Sequence, residues 1–163
     1  MLNRRALLGS VLAATVLAGC QTVSQLPPGT PIGAVHVDVS RLVELGVGPR
    51  AALIKTQLER ELARQLRPTG RRGDATLVIT MRTLTLETYV GSAMDDSPGQ
   101  DSLESVVTLV AAGGGVIATY PITSSSSPGD AGPWYDASPG LIDKRVALLV
   151  TNHALWIRRY FVG

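Results

Sequence analysis

Cysteine and histidine are both scarce in this sequence, which contains one cysteine, Cys20, and two histidines, His36 and His153. A lone thiol cannot form an internal disulfide, so the disulfide-stapled class of small secreted domains is excluded. A zinc site in a protein uses at least three side-chain ligands, and we find no third ligand to complete one with either histidine. The sequence therefore predicts a domain that folds around a hydrophobic core without a metal ion or another cofactor.

Hydrophobic runs long enough to span a bilayer are also missing. The main apolar run follows Arg4 and Arg5 and extends from Ala6 to Leu17, whereas a spanning helix needs roughly 20 apolar residues. A positive start, a short apolar segment and small residues before a cleavage site are typical of a secretory signal. The arginine pair also loosely resembles a twin-arginine export signal; an ordinary secretory signal and an N-terminal anchor helix remain alternatives.

Lysine is almost absent, with only Lys55 and Lys144, so arginine supplies nearly all of the positive charge. The formal charge of the whole chain is +2, but two of its 15 basic residues, Arg4 and Arg5, lie in the signal segment. Without that segment the basic residues equal the 13 acidic ones, and the formal charge is zero. Since nucleic-acid-binding proteins carry a basic excess, we expect no nucleic acid as a partner.

The signal segment ends on Leu17-Ala18-Gly19-Cys20, and this ending resembles the lipobox of bacterial lipoproteins. The resemblance implies that residues 1–19 are removed, that the Cys20 thiol becomes a diacylglyceryl thioether, and that the new N-terminus is acylated. Stable anchoring needs two or more acyl chains, since each buried methylene contributes about 0.8 kcal/mol. Gln21 replaces the aspartate that retains enterobacterial lipoproteins in the inner membrane, which implies an outer-membrane protein facing the periplasm.

Residues 20–33 are predicted to comprise the lipidated cysteine and a tether. Pro27, Pro28 and Pro31 favour polyproline II geometry, which extends by about 3.1 Å per residue. The alternative is that Val23 or Leu26 packs back onto the domain. Residues 34–163 are enough for one core of ordinary size, and we expect them to form a single α/β domain.

The pattern of apolar residues predicts four strands and two helices. Val35, Val37 and Val39 alternate with polar residues as in a half-buried strand, and an apolar stripe with helical spacing begins after Gly48-Pro49. In the strand that begins at Ala75 the apolar parity changes at Arg82-Thr83, and a β-bulge there would keep both apolar groups on the core side. The predicted ranges are strand 34–40, helix 49–67, strand 75–90, strand 103–111, strand 116–122 and helix 138–161.

Two polar segments, 91–101 and 124–137, are predicted to be a hairpin loop and a long loop. Pro121 indicates an edge position or a strand end, because proline cannot donate to a strand ladder. The apolar face of the last helix is predicted to contain Ile142, Val146, Leu149, Val150, His153, Trp156, Ile157 and Tyr160. The predicted fold class is α+β, a two-layer sandwich with both helices on one face of a four-stranded sheet, in the order β-α-β-β-β-α.

Together these features resemble the small outer-membrane lipoproteins of Gram-negative bacteria. The matching features are the lipobox at Cys20, the helix 49–67, the strands Ala75-Thr-Leu-Val-Ile-Thr and Gly115-Val-Ile-Ala-Thr-Tyr-Pro, and the closing amphipathic helix. Two groups share them: the lipopolysaccharide-assembly lipoprotein that plugs a β-barrel translocon, and lipoproteins of the curli-secretion and TolB N-terminal type. The Gly-Phe-x-Pro-Leu segment common after the cysteine of the first group is Gln21-Thr-Val-Ser-Gln here.

The two histidines are candidates for catalysis or metal binding. His36 and Asp38 share one face of the first strand, and we expect that face to be exposed to solvent. His153 lies on the apolar face of the last helix. It is predicted to be a core histidine bonded to a backbone carbonyl, and a proton shuttle is the alternative.

Serines and aspartates in the predicted loops are the remaining polar candidates. The serines at 124–127 lack the Gly-x-Ser-x-Gly elbow of a hydrolase, and neither histidine has a setting that marks it as their base. Asp95, Asp96 and Asp101 do not match the spacing of a calcium loop. We therefore predict a solvated loop and a solvated hairpin tip, with no catalytic residue and no metal ligand.

Two apolar features indicate contact with a partner. Trp134 and Tyr135 stand in a polar loop, and aromatic rings are enriched at protein interfaces. Leu141, Leu148 and Leu155 recur every seven residues along the edge of the polar side of the last helix. The alternatives are that the two rings clamp onto the start of this helix and that the first helix covers the leucines.

The sequence therefore predicts a non-catalytic lipoprotein of the outer membrane that acts as an accessory or scaffold subunit of an envelope complex for assembly or transport. Its expected partners are the membrane, through the covalent lipid on Cys20, and an envelope protein. The alternative is a ligand-binding module for glycan, lipid or peptide that uses the exposed sheet face or the loop 124–137. An enzyme is the third hypothesis.

Overall fold

The computed structural model describes residues 30–87, 99–133 and 138–162. This part of the chain contains four strands and three helices, and a 3-10 turn at Pro128–Ala131 follows the last strand. The elements are β1 Ile32–Asp38, α1 Ser40–Glu44, α2 Pro49–Leu66, β2 Ala75–Thr85, β3 Asp101–Val110, β4 Val116–Ser126 and α3 Pro139–Val162. The predicted α+β order is confirmed, with the short helix α1 added to the first crossover.

The four strands form one mixed sheet in the order β1-β2-β3-β4. β1 and β2 are parallel, and the other two pairs are antiparallel hairpins. Parallel neighbours need a long crossover, which α1 and α2 provide. β4 lies at an edge of the sheet, so the predicted edge position of Pro121 is confirmed.

The predicted bulge in β2 is present. The ladder with β3 shifts its register between Met81 and Thr83, so Arg82 is the extra residue. After the shift Leu84 and Leu86 lie on the core side, where they pack against the buried cluster. One inserted residue thus keeps the apolar side chains before and after it on the same side of the sheet.

The core lies between the sheet and the two long helices. The stripe predicted for α2 is buried at Ala51, Ile54, Leu58 and Leu62. α3 contributes Val146, Leu149, Val150, Ala154, Ile157 and Phe161. Leu42 of α1 is also fully buried, whereas Val43 and Leu45 of the same connection are exposed.

Both long helices run in the same direction. Arg50 Nε donates to Asp143 Oδ1 over 2.8 Å, and further along Gln57 Nε2 donates to the carbonyl of Ala147 over 3.0 Å. The C-termini of α2 and α3 therefore lie at the same end of the domain. We call this the tether end and define it by those two C-termini, the 67–74 loop and Thr30, where the described chain begins.

Several predicted boundaries are wrong, among them the end of β1, which is Asp38 and not residue 40, and the end of β2, which is Thr85 and not residue 90. β1 begins at Ile32, two residues inside the segment predicted to be a tether. β3 begins at Asp101, which is not in a hairpin loop, and β4 continues through the serines to Ser126. The extension of β4 was missed because Ser124 and Ser126 take the inward positions that apolar residues occupy earlier in the strand.

Candidate functional site

Three of the predicted site residues, Cys20, Trp134 and Tyr135, lie outside the described residues. The predicted leucine row does not form one surface. Leu141 is 6% exposed and lies against the turn after β4, since a Cβ on Gly132 would be 3.0 Å from Leu141 Cδ1. Leu148 is half-buried, and Leu155 is 46% exposed. Of the three leucines, Leu155 is therefore the one with substantial surface to offer a partner.

His36 and Asp38 lie where β1 leads into α1. His36 is exposed, as predicted. The carboxylate of Asp38 accepts from the Ser40 backbone N–H over 2.9 Å and from its hydroxyl over 2.6 Å, and these bonds lower the pKa of Asp38. Asp38 thus serves the turn into α1, and the described ranges contain no group of three potential metal ligands.

His153 is the most chemically distinctive residue of the core. Its Nε2 is 2.8 Å from Ser105 Oγ on β3, and its Nδ1 is 2.8 Å from Ser124 Oγ on β4. The core position was predicted correctly, but the predicted carbonyl partner is wrong. Ser124 is likewise not a loop residue, because its inward position in β4 brings it to the histidine.

Burial determines what this serine–histidine–serine cluster can do. His153 is 0%, Ser124 1% and Ser105 2% exposed. Burial lowers the pKa of His153 to about 4, so the imidazole is neutral at pH 7 and has one donor and one acceptor nitrogen. Two hydroxyls satisfy both nitrogens. A serine next to a histidine is also the arrangement of an activated nucleophile, but these hydroxyls have almost no surface to present to a substrate.

A second polar pair, Arg145 and Asp101, is buried two helical turns earlier. Arg145 Nε donates to Asp101 Oδ2 over 2.9 Å, its Nη2 donates to Asp101 Oδ1, and the same Nη2 donates to the Glu87 carbonyl over 2.6 Å. The hydrogen bond to Asp101 raises the pKa of Arg145. Asp101 was predicted at a solvated tip, which is wrong because the guanidinium compensates its charge inside the core. An arginine that interrupts the apolar face of α3 was the available sequence signal.

The two polar pairs have matching spacings on β3 and α3. Asp101 and Ser105 are four residues apart on a strand, about 13 Å. Their partners Arg145 and His153 are eight residues apart on a helix, about 12 Å. Both sets of contacts form at the same position of α3 along the sheet. A shift of α3 by one helical turn would therefore break both. The buried polar residues therefore fix the register of α3.

An apolar patch remains exposed on α3 near its C-terminus. Leu155 and Tyr160 are each 46% exposed and Trp156 is 41% exposed. The Arg159 guanidinium lies 5.0 Å from the centre of the Trp156 ring, and the Tyr160 ring is 5.2 Å from that of Tyr120. We call these four α3 residues, 155, 156, 159 and 160, the aromatic patch.

The aromatic patch corrects the predicted apolar face of α3. Trp156 and Tyr160 were assigned to the core, but Ala154, Ile157 and Phe161 are the buried residues at this end. A long helix on a twisted sheet presents different sides to the sheet along its length. The buried face of α3 accordingly turns away from the two rings near the C-terminus, and a helical wheel with one fixed face misplaces them.

A groove of about 280 Å³ lies between α2 and α3. It is lined by Arg50, Leu53, Thr56, Gln57, Arg60, Asp143 and Val146. The Arg50–Asp143 ion pair belongs to its lining. This groove is on the helical layer, and the face of the sheet that the helices leave open carries contacts among polar side chains, such as Thr108–Thr119 at 3.3 Å.

No helix in the described part of the chain is both long and apolar enough to cross a bilayer. No protein-family model matches the chain, and no curated protein matches it. The resemblance to the two lipoprotein groups therefore stays a prediction.

Solved structures share the fold. A crystal structure of an uncharacterized protein aligns with a TM-score of 0.50 at 14% identity, covering 83% of this chain and 94% of the other. A PelC dodecamer from Paraburkholderia phytofirmans has a TM-score of 0.49 at 11% identity, covering 82% and 91%. A proposed lipoprotein from Caulobacter crescentus has a TM-score of 0.36 at 16% identity, covering 65% and 78%. The first similarity concerns the fold alone, and we draw no functional conclusion from the other two.

Proposed function

We propose that this protein is a non-catalytic lipoprotein, anchored through Cys20 in the outer membrane and facing the periplasm, that serves as an accessory or scaffold subunit of an envelope complex. The aromatic patch carries the partner-binding part of this proposal. Trp and Tyr anchor interfaces because their rigid rings bury a large area at low entropic cost. The patch includes Leu155, a residue predicted from the sequence to contact a partner.

A non-catalytic role is supported by the use that the fold makes of its reactive groups. The serine–histidine cluster and the Arg145–Asp101 pair bond within the core and hold α3 in position on the sheet. A catalytic nucleophile and base must both reach a substrate, and the serines next to His153 are at most 2% exposed.

The anchor is tested on the native polypeptide. Mass spectrometry of the mature N-terminus should show Cys20 as the first residue with its acyl groups attached, and Cys20→Ser should move the protein out of the membrane fraction. An unacylated native polypeptide, or one cleaved elsewhere, would refute the anchor.

The scaffold role is tested by crosslinking in cells. A photo-crosslinking residue at Leu155 should capture one recurring envelope protein, and Trp156→Ala should weaken that capture at least several-fold. Val43, 59% exposed on α1, is the matched control position. Identical crosslinks from both positions, or none from Leu155, would contradict partner binding through the aromatic patch.

Ligand binding is the second candidate, and the groove between α2 and α3 is the observation in its favour. Its volume of about 280 Å³ is near the lower limit of ligand pockets, which span about 300–1,000 Å³. Arg50 and Arg60 would favour a small acidic group. A thermal shift with cell-wall fragments that Arg60→Ala abolishes would support this candidate over the scaffold role.

A further inference from the structure

The loop between α2 and β2 is fastened to the start of β1. The backbone N–H of Thr69 donates to the Ile32 carbonyl over 2.9 Å, and that of Gly70 donates to the Gly33 carbonyl over 3.0 Å. The two segments approach so closely that a Cβ on Gly33 would lie 2.5 Å from the Arg71 carbonyl oxygen. The loop is thereby held beside the point where the described chain begins.

The ends of both long helices are level with this loop. From the Arg50–Asp143 contact, Leu66 is sixteen residues along α2 and Arg159 is sixteen residues along α3, about 24 Å in each case. The side chains of six exposed arginines are therefore gathered at the tether end. They are Arg64, Arg67, Arg71, Arg72, Arg158 and Arg159.

Carboxylates at the tether end do not neutralise this charge. The two described there are Glu61, which pairs with Arg64, and Asp74, which accepts a hydrogen bond from the Thr69 hydroxyl. None of the ion pairs found within the described ranges involves the loop arginines at 67, 71 and 72.

The opposite end of the domain has the other sign of charge. Six carboxylates are described there: Asp38, Glu44, Glu87, Asp101, Asp130 and Asp143. Its four cations are Arg41, Arg50, Lys144 and Arg145, and three of these are in ion pairs with three of the carboxylates. The mature domain has no net formal charge, but its positive charge lies at the tether end of the strands and its negative charge at the opposite end.

Helix dipoles explain only part of this distribution. Arginines in the last turn of a helix interact favourably with its carbonyl end, which accounts for Arg64 and Arg159. Arg71 and Arg72 follow the helix and lie outside its last turn, so the helix dipole does not account for them.

We propose that the tether end is a surface for the anionic phospholipid head groups of the bilayer that holds the lipid anchor. This inference rests on the proposed anchoring at Cys20. Nine residues separate Cys20 from Thr30, so the basic end starts no more than about 35 Å from the acylated residue.

Guanidinium groups suit this role because one group can donate hydrogen bonds to two phosphate oxygens at once and is weakly hydrated. A basic patch beside an acyl anchor is attracted to an anionic leaflet over about one Debye length, roughly 10 Å at 0.1 M salt. The acyl chains hold the protein on the membrane, and the arginines orient the domain with the tether end towards the lipid.

Energy transfer from a labelled site to a head-group acceptor lipid tests the orientation on the full acylated protein in vesicles. After acylation is confirmed by mass, a donor dye is attached at Gly73→Cys in the basic loop or at Val43→Cys at the opposite end. Both sites are exposed, the Cys20 sulfur is blocked by its lipid, and a Cβ at Gly73 meets no atom within 4 Å. In vesicles of equal parts phosphatidylcholine and phosphatidylglycerol, transfer should be at least twofold greater from position 73 than from position 43.

The preference for position 73 should be lost in pure phosphatidylcholine, at high salt and in the Arg71→Gln/Arg72→Gln variant. The matched variant Arg41→Gln/Lys144→Gln, at the opposite end, should retain it. Equal transfer from both positions in anionic vesicles, or a preference that survives neutralisation of the loop arginines, would overturn this inference while leaving the anchor intact. A native protein without acyl chains would overturn the anchor and this inference together.

Discussion

Arg145 and Asp101 are removed from solvent almost completely, with side-chain exposures of 5% and 0%. Desolvation of two charges costs several kcal/mol per ion, and their attraction offsets this only when the geometry is good and the remaining polar atoms are bonded. Here the Glu87 backbone provides further hydrogen bonds to both side chains, because its N–H donates to Asp101 and its carbonyl accepts from Arg145. The pair therefore adds more to the positioning of α3 than to net stability.

Removal of one partner leaves the other charged and buried. We expect Arg145→Met to lower the free energy of unfolding by about 3–5 kcal/mol, and the double variant with Asp101→Leu to recover part of that loss. Arg41→Met, in the exposed pair with Glu44, should cost at most about 1 kcal/mol. Urea unfolding measures all three, and equal losses at Arg145 and Arg41 would contradict the buried-pair account.

His153 should make stability depend on pH. Its pKa falls from 6.5 in the unfolded chain to about 4 in the fold, so the unfolded state binds more protons between these values. Stability should therefore fall as the pH drops from about 6.5 towards 4, by at most about 3.5 kcal/mol at about 1.4 kcal/mol per pKa unit.

A substitution isolates the contribution of the histidine. His153→Asn should flatten the pH dependence of the unfolding midpoint over this range, whereas His36→Asn, at an exposed site, should retain it. An unchanged slope in the His153 variant would mean that other groups titrate.

The bulge at Arg82 is an element-scale device, because one residue sets which face of β2 is apolar beyond it. We expect deletion of Arg82 to turn Leu84 and Leu86 to the open face of the sheet and to destabilise the domain by about 2 kcal/mol or more. Arg82→Ala keeps the extra residue and should stay within about 0.5 kcal/mol of the wild type. Similar losses in the two variants would show that the arginine side chain matters and the inserted residue does not.

At the same scale, α3 shows where sequence periodicity fails. The apolar spacing located the helix from Pro139 onward and placed Leu149, His153 and Ile157 in the core, as the structure has them. It misplaced Trp156 and Tyr160, because the side of α3 that faces the sheet changes along its length. No local pattern encodes that change, since it depends on the twist of the sheet beneath the helix.

The whole domain shares one hydrophobic core, to which all four strands and all three described helices contribute. We expect Leu58→Ala, which empties a fully buried site on α2, to cost about 2–5 kcal/mol and to shift one cooperative transition. Leu53→Ala, on the exposed side of the same helix at 58% exposure, should cost about 0.5 kcal/mol or less. Far-UV circular dichroism and tryptophan fluorescence should give the same midpoint, and separate transitions would contradict a single core.

The charge distribution is also a property of the whole molecule. The chain order interleaves arginines and carboxylates, and the sequence alone indicates a neutral and unremarkable surface. The parallel alignment of α2 with α3 and the return of the chain into β2 collect the arginines at one end. The polarity becomes visible only when both helix directions are known.

The sequence by itself determined the type and order of the four strands and the two long helices, the apolar stripe of α2 and the bulge in β2, and it limited Pro121 to an edge position or a strand end. These follow from local preferences: periodicity of two or 3.6 residues, the parity of a strand and the missing N–H of proline. Tertiary structure alone decided the partners of the buried polar groups, because Arg145 meets Asp101 across 44 residues and His153 meets Ser124 across 29. A pairing over such distances depends on how a helix is laid across a sheet, and neither partner carries a local mark of the other.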